Sequence, residues 1–139
     1  MGYESFRIYY PKSKAEMKRW TKEYGMNAYY AGKHWSIRKR DAEYWHLMTR
    51  SAMNKQEVRL RPFEKPVEIS FLWNDRLDID NHGIWGKMIV DAMKGRLIND
   101  DNRRWLKGVL RGSYPSLRTR WRRDCTSRQP PNLYRLRGW

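Results

Sequence analysis

Strand-like and helix-like segments interleave along this chain and place it in the α+β class, a small β-sheet packed against helices. Three observations carry the assignment. Val67, Ile69, Phe71 and Trp73 alternate with Glu68, Ser70 and Asn74, the pattern of a strand with one face in a core. Ile84, Trp85, Met88, Ile89, Ala92 and Met93 recur at the three-to-four spacing of a helix with a broad apolar face. The 139 residues, 40% of them hydrophobic, suffice for one core and are too few for two ordinary domains. One domain is expected over residues 1–125, with residues 126–139 as a basic C-terminal tail.

In order along the chain, Phe6 and Ile8 alternate with polar neighbours before Pro11 and predict a short strand over residues 3–10. Ser13 is placed to cap a helix running to Tyr24, with Gly25 just past its end where a left-handed cap would sit. Residues 27–37 are aromatic and broken by Gly32, which reads as a loop or loose hairpin. Ser36 then caps a helix to about Asn54, its apolar stripe formed by Trp45, Met48, Ala52 and Met53, with Arg38, Lys39, Arg40 and Arg50 on the other face. After Pro62 and Pro66 comes the strand of residues 67–73. Asp80 or Asn81 caps the next helix, which runs to Lys94 and ends at Gly95. Residues 105–111 and 117–122 flank Gly112-Ser113-Tyr114-Pro115 as a hairpin with Lys and Arg at its exposed positions. Pro130-Pro131 and the lack of periodicity give the tail.

Charge points to the partner. Thirty Lys and Arg against fifteen acids leave a formal charge of +15, and a compact body so charged repels itself unless a polyanion is near. Nucleic acid is the obvious polyanion. Residues 103–139 hold eleven bases and one acid, so the C-terminal quarter is the most cationic. A single cysteine, Cys125, rules out an intrachain disulfide and a Cys-rich zinc module. No stretch approaches the roughly 18 apolar residues of a membrane span. A cytoplasmic protein without a membrane partner or a small-molecule substrate is expected.

Within this basic chain, six of eight Asp residues (Asp75, Asp78, Asp80, Asp91, Asp100, Asp101) fall in 27 positions. Carboxylates so gathered repel one another, and a hard cation such as Mg²⁺ relieves the repulsion because it prefers oxygen ligands. Asp78 and Asp80 stand where a strand hands over to a helix, and Asp100-Asp101 just beyond that helix's far end; a chain reversal would bring the two groups together. On the helix, Asp80, Lys87, Asp91 and Lys94 fall within a stripe of about 60°. Each residue also has a plainer structural use: Asp80 as a cap, Asp100-Asp101 as a turn, Lys87 and Asp91 as an exposed ion pair. A calcium loop starting at Asp78 is disfavoured, because Ile89 stands where a bidentate Glu is required. His34, His46 and His82 lack zinc spacing and read as packing or surface residues.

Leu77-Asp78-Ile79-Asp80-Asn81, followed by Lys87, by Asp91-Ala92-Met93 and by Asn99-Asp100-Asp101, resembles the ordered signature of the RusA family of Holliday junction resolvases: Asp-x-Asp-Asn, Lys, Asp-Ala-Leu, Asp-Asp. The similarity extends more weakly over most of residues 3–123. It implies a RusA-like, homodimeric α+β fold with a small mixed sheet, which binds four-way DNA junctions and nicks two opposed strands with Mg²⁺, for which Mn²⁺ can substitute. Carried over, Asp78, Asp80 and Asp101 are metal-binding carboxylates, Asp100 is their neighbour in the metal set, and Lys87 faces the phosphate. Arg76, Lys94, Arg103, Arg104, Arg118, Arg120, Arg122 and Arg123 are the candidate nucleic-acid contacts. Lys87 lies seven residues after Asp80, whereas the family places its lysine about one turn after the aspartate; the shift keeps its helix face and moves it about 5 Å along the axis. The helix near residues 13–24 and the cationic tail are additions to the family pattern. A non-catalytic nucleic-acid binder, or a metal-dependent nuclease for another branched DNA or for RNA, shares the same composition.

Overall fold

Two strands flank a helix in parallel, and this unit sets the position of everything chemical in the molecule. The computed structural model describes residues 3–59, 61–113 and 132–138. In chain order they form β1 (Tyr3–Ile8), α1 (Lys14–Glu23), α2 (Met26–Tyr30), α3 (Trp35–Lys55), β2 (Val67–Trp73), a 3-10 turn (Ile79–His82), α4 (Gly83–Met93), β3 (Leu106–Ser113) and β4 (Asn132–Gly138). The sheet order is β1-β4-β2-β3. β4 is antiparallel to both β1 and β2, while β2 and β3 are parallel, so the sheet is mixed. Parallel neighbours require a crossover, which α4 supplies.

The core lies between this sheet and the helices. Phe6 and Ile8 of β1 and Val67, Ile69, Phe71 and Trp73 of β2 are buried against Trp20, Trp45, Met53, Trp85, Ile89 and Met93. Alternation along β2 does this, since every second residue reaches the same face. An aromatic cluster ties α1, α3 and α4 together: Trp45 lies 5.0 Å from Trp20 and 5.5 Å from Trp85 between ring centroids. Trp85 Nε1 donates to the Tyr24 carbonyl at 3.0 Å, which satisfies a buried donor. The N-terminal helix is therefore anchored in the core through Trp20.

Several local expectations are corrected. Ser13 caps α1 as expected, accepting from the Glu16 N–H at 3.0 Å. Gly25, however, has φ −69° and opens α2 instead of closing α1 in a left-handed conformation. Its glycine is required by close approach, because a Cβ there would stand 2.6 Å from the Thr21 carbonyl oxygen. Residues 26–30 are helical and not a loop or hairpin. α3 is capped by His34, whose Nδ1 accepts from the Ser36 N–H, so the helix starts before Ser36. Gly95 does end α4, at φ +74°.

The C-terminal half brings the largest revision. Residues 132–138, read as part of an aperiodic tail, form β4, which lies between β1 and β2. Such a strand is fixed by ladder hydrogen bonds on both edges, and a seven-residue segment with Arg135 and Arg137 in it gives little periodic signal. Pro130-Pro131, the strongest sign of a tail, stops just short of it. The first arm of the expected hairpin exists as β3, but its described neighbour is β2, in parallel; the second arm at 117–122 lies outside the described residues.

Candidate metal centre

The segment joining β2 to α4 is held from below by a buried polar group. Asp75, its side chain 7% exposed, takes hydrogen bonds from His82 Nε2 at 2.8 Å, from the Leu77 N–H at 2.8 Å and from the Tyr10 hydroxyl. His82 is fully buried, stacked on Trp73 at 4.3 Å between centroids and edge-on to Trp85 at 5.1 Å. Its Nδ1 lies 2.9 Å from the Asp78 carbonyl, so both ring nitrogens face oxygen acceptors. Burial alone would raise the Asp75 pKa, but the His82 and Tyr10 hydrogen bonds and the Leu77 N–H together hold it below the usual carboxylate value. The loop is thereby clamped at Asp75 and at Asp78.

Above this clamp the chain turns outward and presents acids. Asp78 occupies the cap position of the 3-10 turn with no side-chain capping bond, and α4 begins after His82, again without one. Capping, the plain structural use of Asp80 or Asn81, is therefore not what these residues do. Asp78 and Asp80 are exposed, and among the described residues neither carboxylate has a hydrogen-bond or ion-pair partner. Both line an open cleft of about 680 Å³, with Arg76 and Leu77 on its near wall and Arg111 and Ser113, from the end of β3, on the other. Arg76 and Arg111 lack ion-pair partners among the described residues. The N-terminus of α4 adds its partial positive charge beside Asp80. Two bare carboxylates and two bare guanidinium groups thus share one opening.

The other expected ligands lie elsewhere. Lys87, 69% exposed, pairs with Asp91 at 3.2 Å; Lys94 pairs with Asp91 and with Asp101, each at 3.0 Å. Lys94 holds the Asp101 carboxyl below its ordinary pKa, and the Asp101 and Asp91 carboxylates raise that of Lys94. Asp100 is a turn residue, accepting from the Asp101 N–H at 2.8 Å and from Asn102 Nδ2 at 3.1 Å. The stripe read on the helix is real for Lys87, Asp91 and Lys94, while Asp80 stands apart in the 3-10 turn.

Parallel topology explains the split. Asp78 and Asp80 follow the C-terminal end of β2, α4 carries the chain back, and Asp100-Asp101 precede the N-terminal end of β3. Eleven helical residues span about 16 Å, so the chain reversal separates the two acid groups instead of joining them. Accordingly, no group of three His, Cys, Asp or Glu poised to hold a metal occurs among the described residues.

Arg103 and Arg104 are exposed, and the Arg104 guanidinium lies 5.1 Å from the Trp105 ring centroid. Arg118, Arg120, Arg122 and Arg123 lie outside the described residues. Sequence reasoning gave no role to Asp75, Tyr10 or Arg111 and took His82 for a packing or surface residue. The placement of an Asp and a His at either end of an aspartate-rich loop was the available signal for the clamp. Arg111 gave none, since its place beside the cleft follows from the parallel register of β3 on β2.

No helix among the described residues is long and apolar enough to cross a membrane. Compared with family models, curated proteins and solved structures, the chain matches none of them.

Proposed function

We propose that this chain is a Mg²⁺-dependent DNA endonuclease that resolves four-way junctions as a homodimer, in the manner its resemblance to the RusA family implies. The observation that carries the reading is the pair Asp78 and Asp80: exposed, without a side-chain capping bond, and in one cleft with Arg76 and Arg111, none of the four side chains having an ion-pair partner among the described residues. In a chain of net charge +15, carboxylates left without a basic partner call for a reason. A hard cation is one, and the donor set fits it, since Mg²⁺ is commonly held by one or two carboxylates together with substrate phosphate oxygens. Asp78 and Asp80 would hold the ion; Mn²⁺ suits the same oxygen ligands.

When bound, such an ion supplies a lowered pKa for its water and offsets charge building on the phosphate. The chain's own residues do the rest. Arg76 and Arg111 hold the phosphate against the carboxylate pair, where it would otherwise be repelled. The Asp75, His82 and Tyr10 clamp fixes the loop that carries both ligands, and Arg103 and Arg104 serve the backbone further along the duplex. Lys87, engaged with Asp91 on an exposed helix face, contributes to this surface and not to the carboxylate pair.

Asp101 and Asp100 cannot join the pair within one chain, so their membership of the metal set calls for a second copy of the chain. Mixing Asp80→Asn with Asp101→Asn protein, each inactive alone, is then expected to restore roughly a quarter to a half of the junction cleavage, because the mixed dimer keeps one intact composite centre. Absence of any recovery after subunit exchange contradicts the shared centre.

A further inference from the structure

On the far side of the Asp75–Leu77 segment lies a second opening, of about 580 Å³, lined by that segment and by Tyr10, Lys14, Met17, Thr21 and Asn74. Its lining is mostly apolar, unlike that of the acidic cleft. Lys14, Met17 and Thr21 are one stripe of α1, spaced three and four residues apart, while Trp20 turns into the core. Tyr10 is a fixed wall, because its hydroxyl donates to Asp75 and accepts from the Asn74 N–H at 3.1 Å. Lys14 and Arg76 are exposed at the opening, with no ion-pair partner among the described residues.

We propose that this opening is a subsite for one unpaired nucleobase of the strand whose phosphate reaches Asp78 and Asp80, a proposal that rests on the nuclease reading. The two openings share Asp75, Arg76 and Leu77, a ridge of at most about 10 Å of extended chain, so neighbouring nucleotides of a single strand can occupy both. The apolar lining suits the face of a base, and the cations suit the phosphates on either side of it. A stacked, paired base cannot enter such a recess; a base freed at a branch point can. The subsite ties the N-terminal helix to substrate choice: α1 is built into the core by Trp20, and its adjoining stripe, where Met17 packs at the core's edge and Lys14 is exposed, faces the DNA.

The test uses four-way junctions carrying 2-aminopurine at each position within three nucleotides of the nick in turn, bound to the full chain with Ca²⁺ in place of Mg²⁺. One position is expected to change its fluorescence at least twofold on binding. Met17→Glu abolishes that change and weakens binding about tenfold, and Lys14→Glu, at an exposed site that leaves folding untouched, weakens it about threefold. If wild-type protein cuts the junction with Mg²⁺ while no position responds and both variants bind as wild type, the subsite is overturned and the nuclease reading stands. A responding position in a protein that cuts no DNA keeps the base site and removes the nuclease. Neither response nor cutting overturns both.

Discussion

Asp80→Asn is expected to lower Mg²⁺-dependent junction cleavage by about three orders of magnitude while changing junction affinity by less than about threefold. The magnitude follows from the loss of a charged ligand to an ion that stabilises the transition state by several kcal/mol, each 1.4 kcal/mol being about tenfold in rate. Affinity is spared because basic residues across the protein dominate binding to a phosphate backbone. Stability is also spared, since the Asp80 side chain is exposed and makes no bond among the described residues that the amide would lose. Single-turnover cleavage of an end-labelled junction, with a gel-shift titration alongside, checks both halves. Asp78→Asn should behave alike, as the two carboxylates share one cleft. By contrast, Asp91→Asn breaks only exposed ion pairs and should leave cleavage within a few-fold of wild type.

His82→Ala carries the largest expected effect on stability. It removes a fully buried ring packed between Trp73 and Trp85 and leaves Asp75, nearly as buried, without its main partner. Breaking a buried pair by deleting one member costs about 3–5 kcal/mol, a large share of the roughly 5–15 kcal/mol that holds a domain folded. A fall in Tm on the order of 10 °C is the expected result. The pH dependence has a definite sign. In the wild type Asp75 has a folded pKa below its unfolded value, so its contribution is full above about pH 4 and is lost as the pH falls through the folded pKa. Burial is the largest single influence on Asp75 and favours the protonated form; without His82 only the Tyr10 hydroxyl and the Leu77 N–H oppose it. The stability gap between wild type and variant should therefore narrow as the pH is lowered through about 4. Urea unfolding at neutral pH and at about pH 3.5 measures it; a gap that widens in acid contradicts the clamp.

The sequence revealed the elements that bury alternating or periodic apolar side chains. β1, α3, β2 and α4 could each be read because Phe6, Trp45, Ile69 and Trp85 sit on faces that repeat along their own segments, and α1 because Ser13 caps it. β4 could not, because its place depends on hydrogen bonds to β1 and β2, strands remote from it in sequence. The same limit governs the acids. Asp78 and Asp80 are two residues apart and remain neighbours in any fold, whereas the relation of Asp100-Asp101 to them depends on whether β2 and β3 run parallel. Because they do, α4 lies between the groups, and Lys94 takes up Asp101. The clamp was visible only as composition: an Asp, a His and a distant Tyr10 whose convergence needs the sheet to exist first.

The account's central claim is that Asp78 and Asp80 hold an ion with which the chain cuts branched DNA. The most direct measurement is a four-way junction labelled in turn on each strand and incubated with the full chain, with and without Mg²⁺. Nicks at symmetrical positions in two opposed strands, present with Mg²⁺ and absent in chelator, are the result predicted. Intact strands with both Mg²⁺ and Mn²⁺, by protein that binds the junction, would contradict it.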